Sequence, residues 1–406
     1  MIQIKQNRYR WIYLLIGTMA MVSCGVTYAW AILKTPLAAE FGWTLAQLAL
    51  NSTLSMVFIA VGNLLAGQLA RKISTRMLII GSAVCMFLGF FISSRMNNNI
   101  FLLYFSNAGL CGIGIGSFVV TIINVMGRWF EDRKGFSTSV LQMGLGFGGM
   151  VVSIIVNFLT DTFDLDWRMI YFLLGVMIGA VLLAAAFIIK EPEDGGRQEG
   201  DYQILPEKSV SDVKTRQMIQ RREFQSYYLM NLLVGTVGSV MLNFTNDFFL
   251  SLGSTVSMAV LMVGCVSIGN GLGRFLIGII YDYKGRMFTI FIIVCSALGS
   301  SLLLLISAVT GKVMPGMLGA ILAGASFGFV PSAASPIIRE WYGNQYFASN
   351  YSVTLTNSVP ASLMAAVSGG ILAAGGSFTS IYFILLILSA GSYMFYFNLK
   401  QKDVPK

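Results

Sequence analysis

Apolar residues occur along this chain in long runs that short polar stretches separate. Twelve of these runs are long enough for a helix that crosses the roughly 30 Å hydrocarbon layer of a bilayer. Numbered as spans 1 to 12, they lie at residues 11–33, 45–70, 77–94, 101–126, 136–160, 168–189, 226–249, 255–281, 287–309, 313–337, 348–373 and 379–399. Because lipid offers the backbone no hydrogen-bond partner, only helices and closed barrels cross it. Runs of this length predict an all-α membrane protein with twelve transmembrane helices.

The longest polar stretch falls between span 6 and span 7, at residues 191–224. It mixes both signs of charge with glycine and proline, as a surface linker does. We therefore predict a bundle of six helices at 1–190, a cytoplasmic linker at 191–224 and a second bundle of six helices at 225–406.

The two halves resemble each other at a nearly constant offset. Residues 62–67 of span 2 (GNLLAG) align with residues 273–278 of span 8 (GRFLIG), and residues 128–130 (RWF) align with residues 340–342 (EWY). Such a repeat predicts two bundles related by a pseudo-twofold axis along the membrane normal, with a ligand held between them. In this alignment Asn63 is the repeat partner of Arg274.

Charged residues make up 11% of the chain and hydrophobic residues 56%, with a mean hydropathy of +0.73. If both termini are cytoplasmic, 22 of the 27 Lys and Arg residues lie on that side and four lie outside. The positive-inside rule therefore predicts a multi-pass protein of the cell (inner) membrane with both termini in the cytoplasm. The net charge of +9 does not indicate nucleic-acid binding, because no basic patch interleaves with aromatic residues.

The sequence contains no signature of an enzyme. Histidine is absent, the five cysteines fall inside spans without metal-ligand spacing, and no nucleophile and base are paired. We expect no metal and no cofactor. The predicted partners are the lipid bilayer and a small anionic carboxylate, and the protein is expected to be monomeric.

Arg274 is the cation that lies within a span and not at its end. A charge near a helix centre costs roughly 2.5–3.5 kcal/mol on insertion scales, so such residues usually face a cavity and carry function. All 18 acidic residues fall in loops or near the ends of spans, so no carboxylate is placed to neutralise Arg274 from within. A guanidinium offers two parallel donors that suit a carboxylate. We predict that Arg274 binds an anionic substrate, and the alternative is a structural cation satisfied by carbonyls or amides.

Other polar side chains inside spans are candidates for the same cavity. Each could donate a hydrogen bond to an anion, but hydrogen bonding between helices is at least as common. Tyr28 is interpreted equally well as a substrate contact or as a packing residue. The amide candidates are Asn63, Gln142, Asn270 and Asn357, with Asn124 and Asn243 as further amides inside spans.

The segment Gly278-x-x-x-Asp282-x-x-Gly285-Arg286 resembles the cytoplasmic loop motif of the major facilitator superfamily. The resemblance extends over nearly the whole chain and implies the major facilitator fold. The counterpart motif after span 2 departs from the pattern, because Arg71 stands where an Asp is expected. We therefore predict that Glu340, in the loop after span 10, accepts Arg71 and closes the two halves.

The chain more closely resembles the oxalate/formate antiporter family and the neighbouring monocarboxylate porters. In these families the arginine of span 8 grips the substrate carboxylate, which implies that role for Arg274. The stretches that carry the resemblance are Gly25-Val26-Thr27-Tyr28-Ala29-Trp30 with Pro36 and Phe41-Gly42-Trp43, Arg128-Trp129-Phe130-x-x-Arg133-Lys134-Gly135, Arg274 itself, and Pro331-Ser332 with Asn350-Tyr351.

The departures from those families narrow the expected substrate. The oxalate carrier's second cation, in span 11, corresponds here to Ser358, whereas Tyr28 and Phe327 keep aromatic positions of its pocket. The Asp of proton-coupled porters corresponds to Asn270, which cannot take a proton. We expect monocarboxylates of the formate, lactate or pyruvate type, moved by exchange or uniport. The alternatives are proton symport and drug–proton antiport, for which Asp247 is the nearest carboxylate.

Overall fold

The computed structural model describes residues 2–192 and 212–402, and within these ranges every regular element is helical. Most of the predicted linker, residues 193–211, lies outside the described residues. The helices of the first half are Ile2–Cys24, Gly25–Ala29 and Trp30–Phe41 (span 1), Leu45–Leu69 (span 2), Thr75–Ser94 (span 3), Ile100–Leu103, Tyr104–Cys111 and Gly112–Trp129 (span 4), Lys134–Phe163 (span 5) and Trp167–Ile188 (span 6). The others are Thr215–Gln220, Arg222–Ser251 (span 7), Val256–Thr310 (spans 8 and 9), Val313–Tyr342 (span 10), Phe347–Leu355 and Ser358–Ala373 (span 11) and Phe378–Lys402 (span 12).

Eleven helices of the described ranges are long and apolar enough to cross a membrane. The longest of them contains two of the predicted spans, 8 and 9. The helix Val256–Thr310 has 55 residues and contains Gly285 at φ 75° and ψ 177°. A glycine adopts that backbone conformation with little strain, so the chain turns there between span 8 and span 9. The prediction of twelve transmembrane helices is confirmed, with the predicted loop motif at the turn.

Glycine contacts repeat between the halves at the offset found in the sequence. A Cβ on Gly62 of span 2 would overlap the backbone of Ile113 in span 4, and a Cβ on Gly273 of span 8 would overlap the backbone of Ala325 in span 10. Small residues allow helix backbones to approach this closely in membranes. The same pair of helices therefore packs in the same way in each half, which confirms the pseudo-twofold relation.

The loops after spans 2, 4, 8 and 10 lie on one face of the molecule, which we call the basic face. Asp282 accepts hydrogen bonds there from the backbone N–H groups of Gly135, at 3.0 Å, and Phe136, at 2.8 Å. These N–H groups begin span 5 and lack partners within its helix, so the carboxylate caps it. Asp282 thus joins span 8 of one half to span 5 of the other.

The predicted pairing of Arg71 with Glu340 is wrong. Glu340 binds Arg286 at 2.5 Å, within the second half, and Arg71 lies with its guanidinium carbon 4.5 Å from the ring centre of Tyr346. The turn at Gly285 places Arg286 beside the end of span 10, so a nearer cation satisfies Glu340. Arg128 likewise binds within its own half, to Glu191 at 3.0 Å.

Candidate functional site

A cavity of about 110 Å³ lies between the two halves. Side chains from spans 1, 2, 4 and 5 of the first half and from spans 7, 8, 10 and 11 of the second half line it. Among the described residues, no group of His, Cys, Asp or Glu could hold a metal ion. The predicted site residues that line the cavity are Tyr28, Asn63, Gln142, Arg274, Phe327, Asn357 and Ser358.

Arg274 is 2% exposed and is held by neutral groups. Its Nε donates to Asn270 Oδ1 at 3.1 Å, and its Nη1 donates to Gln142 Oε1 at 2.7 Å and to the Gln142 carbonyl oxygen at 3.4 Å. Its Nη2 donates to Tyr28 Oη at 3.2 Å. Asn270, which does not line the cavity, therefore orients the cation from one turn away.

No carboxylate of the described ranges forms an ion pair with Arg274. A buried ion without a counter-charge carries a desolvation penalty of several kcal/mol. Amide and hydroxyl dipoles offset part of that penalty, because hydrogen bonds to charged groups contribute about 1.5–3 kcal/mol each. The cavity thus presents an uncompensated positive charge at which an anion would be stabilised.

Gln142 connects the cation to the second half of the molecule. Its Nε2 donates to Tyr351 Oη at 3.2 Å, and Tyr351 Oη donates to the Pro331 carbonyl oxygen at 3.2 Å. A series of hydrogen bonds therefore leads from Arg274 in span 8 through span 5 and span 11 to span 10. A change in the bonds of Gln142 would reach both halves.

Two aromatic residues of span 1 have different environments. Tyr28 reaches Arg274 and lies with its ring centre 6.0 Å from the guanidinium carbon, within the range of a cation–π contact. Trp30 donates its ring N–H to the Leu48 carbonyl oxygen at 3.1 Å, which fixes span 1 against span 2. Of the two, Tyr28 is the one in the cavity.

Several predicted residues lie away from the cavity. Asn243 is exposed and donates to the Ser239 carbonyl oxygen of its own helix, at 2.8 Å. Asn124 contributes its carbonyl oxygen to Arg339 and does not line the cavity. Asp247, the carboxylate considered for proton coupling, is exposed near the end of span 7.

Sequence reasoning missed a second buried cation, Arg339, which is 3% exposed. Its Nη2 donates across the halves to the carbonyl oxygens of Ile123, at 3.2 Å, and Asn124, at 3.0 Å. Its guanidinium carbon lies 3.4 Å from the ring centre of Phe347. Because Arg339 ends span 10, its position in the sequence indicated a loop residue. Together with Asp282 it holds the basic face closed.

Asn231 of span 7 was also missed. It lines the cavity and is 1% exposed. The signal was available, since Asn231 is an amide inside a predicted span like those that were selected. The structure thus adds Asn231 to the lining of the cavity and Tyr351 to the contacts of Gln142, the partner of Arg274.

Comparison with known proteins agrees with this architecture. The family model described as Major Facilitator Superfamily matches residues 15–358. The uncharacterized MFS-type transporter YhjX of Escherichia coli (strain K12) is 25% identical over 357 residues, which cover 86% of this chain and 84% of that protein. The oxalate:formate antiporter of Oxalobacter formigenes is 25% identical over 387 residues, which cover 94% of this chain and 89% of that protein.

A solved structure shares the fold over nearly the full length. The proton:xylose symporter XylE, bound to 6-bromo-6-deoxy-D-glucose, matches with a TM-score of 0.75 at 15% identity, over 98% of this chain and 97% of that one. Twelve transmembrane helices, two halves of repeated packing and a family model that matches most of the chain lead to one conclusion. The protein is a multi-pass membrane transporter and not an enzyme, and the chain belongs to the Major Facilitator Superfamily.

Proposed function

We propose that this protein is a secondary transporter of small monocarboxylates, with Arg274 as the residue that binds the carboxylate. The observation that carries the proposal is the environment of Arg274. It lines a cavity between the halves, its hydrogen-bond partners are all neutral, and it is the one charged side chain among the described residues that line that cavity.

A single cation favours a substrate with a single negative charge. At the position that corresponds to the oxalate carrier's second cation, Ser358 lines the cavity and donates its hydroxyl to the Leu355 carbonyl oxygen at 2.9 Å. A dicarboxylate would therefore leave one charge without a cationic partner in a largely apolar cavity, which is costly. The relative from Oxalobacter formigenes is named for both oxalate and formate, and formate is a monocarboxylate.

Binding would exchange the neutral partners of Arg274 for an ionised one. A carboxylate can accept two parallel hydrogen bonds from the Nη1 and Nη2 groups. Gln142 and Tyr28 hold these two nitrogens in the structure, at 2.7 Å and 3.2 Å. When the substrate binds, the side chains of Gln142 and Tyr28 would either rotate away from Arg274 or form hydrogen bonds with the substrate themselves. Because Gln142 also contacts Tyr351, occupancy of the cavity would be communicated to span 11.

Contacts on the basic face support a transport cycle by alternating access. Asp282 and Arg339 bind the two halves together there, so this is the state closed on that side. We assign the basic face to the cytoplasm because Lys and Arg are concentrated in its loops. Rocking of the halves about the cavity would then break these contacts and open the site to the cytoplasm.

The cavity favours anion exchange or uniport over proton symport. No Asp, Glu or His is present among the described residues that line it. An empty carrier keeps Arg274 uncompensated, whereas a loaded carrier is neutral and reorients more easily. Asn270 holds the Nε of Arg274 at the place where proton-coupled porters have an Asp.

Counterflow in proteoliposomes tests this proposal. Vesicles preloaded with unlabelled lactate or formate should take up the labelled anion at least tenfold faster than empty vesicles, with little response to an imposed pH gradient. In Asn270→Asp, the ionised carboxylate of the new Asp would form an ion pair with Arg274. Protonation of that carboxylate would break the ion pair and leave Arg274 free to bind the substrate. Uptake by that variant should therefore rise as the pH falls.

Asn243→Asp provides the matched control, because it adds the same carboxylate at an exposed position. Its uptake should keep the pH response of the original protein. Steep accumulation by empty vesicles when the outside is acidified, without any substitution, would instead establish proton symport.

A further inference from the structure

The cavity contains a second polar position, on the helix that precedes span 8. Asn231 is 1% exposed, and neither its Oδ1 nor its Nδ2 has a partner at good hydrogen-bond geometry, although its amide lies close to the Tyr227 hydroxyl. Asn63, which lines the cavity from the other half, also has a buried Oδ1 without a partner. Buried polar atoms without partners are rare in proteins, and each one calls for an explanation.

Asn231 differs from the other polar residues around it. Tyr228, on the same helix, is satisfied because its Oη lies 3.0 Å from Thr356 Oγ1. Gln142 and Asn270 have their bonds to the Arg274 cation. Asn231 thus retains donor and acceptor capacity beside the cavity, with the Tyr227 hydroxyl as a polar neighbour of its amide.

We propose that Asn231 recognises a hydroxyl group on the substrate, so that the protein selects hydroxy-monocarboxylates. This inference rests on the proposed function, in which Arg274 holds the carboxylate. A hydroxyl can donate to the amide oxygen and accept from the amide nitrogen, so it satisfies both atoms at once. A keto oxygen can use only the nitrogen, and an alkyl group can use neither.

The proposed selectivity has a physical basis in the cost of the unused amide. An unsubstituted acid that fills the cavity excludes water and leaves the amide unpaired. Sites built to bind a hydroxyl reject the analogue that lacks it more strongly than apolar pockets reject an added hydroxyl. Asn231 would therefore act as a specificity residue, and Arg274 would supply affinity common to all the acids.

Competition against labelled lactate in proteoliposomes tests the inference. The competitors are matched acids that differ by one hydroxyl: lactate or 3-hydroxypropionate against propionate. In the original protein we expect at least one hydroxy acid to compete tenfold or more better than propionate. In Asn231→Leu, which keeps the branched shape of the side chain and has no polar atom, that ratio should fall to near one while competition by propionate is retained.

Tyr227→Phe is the control variant, because the buried Tyr227 hydroxyl lies one turn away, close to the Asn231 amide, and is the partner that a purely structural role of Asn231 would require. If Asn231 and Tyr227 served only each other, both variants would change stability alike and neither would change selectivity. We expect the hydroxyl preference to persist in Tyr227→Phe. Should Asn231→Leu not reach the membrane, Asn231→Ser carries the same expectation of a reduced ratio.

Two results would overturn the inference. One is an original protein that does not distinguish hydroxy acids from propionate, and the other is a preference that survives loss of the Asn231 amide. Either result leaves the proposed function intact as long as carboxylate uptake depends on Arg274. Uptake of every acid without Arg274 would instead contradict the proposed function itself.

Discussion

Replacement of Arg274 by Ala should abolish saturable uptake of carboxylates. The side chain is buried in the cavity, and its charge is matched by no carboxylate of the described residues. Loss of one partner of a buried, hydrogen-bonded charge pair costs about 2–5 kcal/mol. That range corresponds to a roughly 30- to 4,000-fold loss of affinity. Initial uptake rates over a range of substrate concentrations in proteoliposomes would measure it.

Arg274→Lys separates charge from geometry. An ammonium keeps the charge but cannot offer the two parallel donors of a guanidinium. Its uptake should lie between those of the original protein and Arg274→Ala. Arg95→Ala, at an exposed position that ends span 3, is the control and should behave as the original protein does. Equal uptake by Arg274→Ala and Arg95→Ala would show that Arg274 is a structural cation.

Replacement of Arg339 by Ala should open the basic face. The variant loses two hydrogen bonds to carbonyl oxygens of the other half and the contact with Phe347. The substitution also removes the desolvation cost of a buried cation. We therefore expect the closed state to lose about 1.5 kcal/mol of stability, the low end of the range for hydrogen bonds to charged groups. The equilibrium between closed and open states should shift roughly tenfold towards the open state.

Spin labels at Lys72 and Tyr283 would report this shift, because both residues are exposed on the basic face and lie in different halves. With the five native cysteines replaced, double electron–electron resonance should show a larger population of long distances between the two spin labels in Arg339→Ala. Arg10→Ala is the control, because Arg10 binds Asp132 within the first half, at 2.8 Å. An unchanged distance distribution in Arg339→Ala would mean that Arg339 does not hold the halves together.

The fold could be predicted because hydropathy and length are properties of each helix alone. Runs of apolar residues gave all twelve spans, and the alignment of Gly62 with Gly273 predicted a packing repeat that the structure contains. Arg274 was conspicuous for the same reason, since a cation inside an apolar run is visible without any knowledge of its neighbours.

Contacts between loops were harder to predict, because no periodicity fixes which loop residues meet. Arg71 and Glu340 were paired from charge alone, whereas the turn at Gly285 places Arg286 on Glu340. Arg339 was missed because burial at the end of a span depends on the helices of the other half. Which amides face the cavity also depends on helix rotation, so Asn231 could be distinguished from Asn243 only in the structure.

We expect one buried cation, Arg274, to select acids with one carboxylate. Competition by formate, lactate, pyruvate and oxalate against labelled uptake in proteoliposomes, with the original protein and Arg274→Ala side by side, tests it most directly. We expect at least one monocarboxylate to compete more than tenfold better than oxalate, and no acid to support uptake by Arg274→Ala. Oxalate that competes better than every monocarboxylate would contradict the claim and would require a second cation at the site.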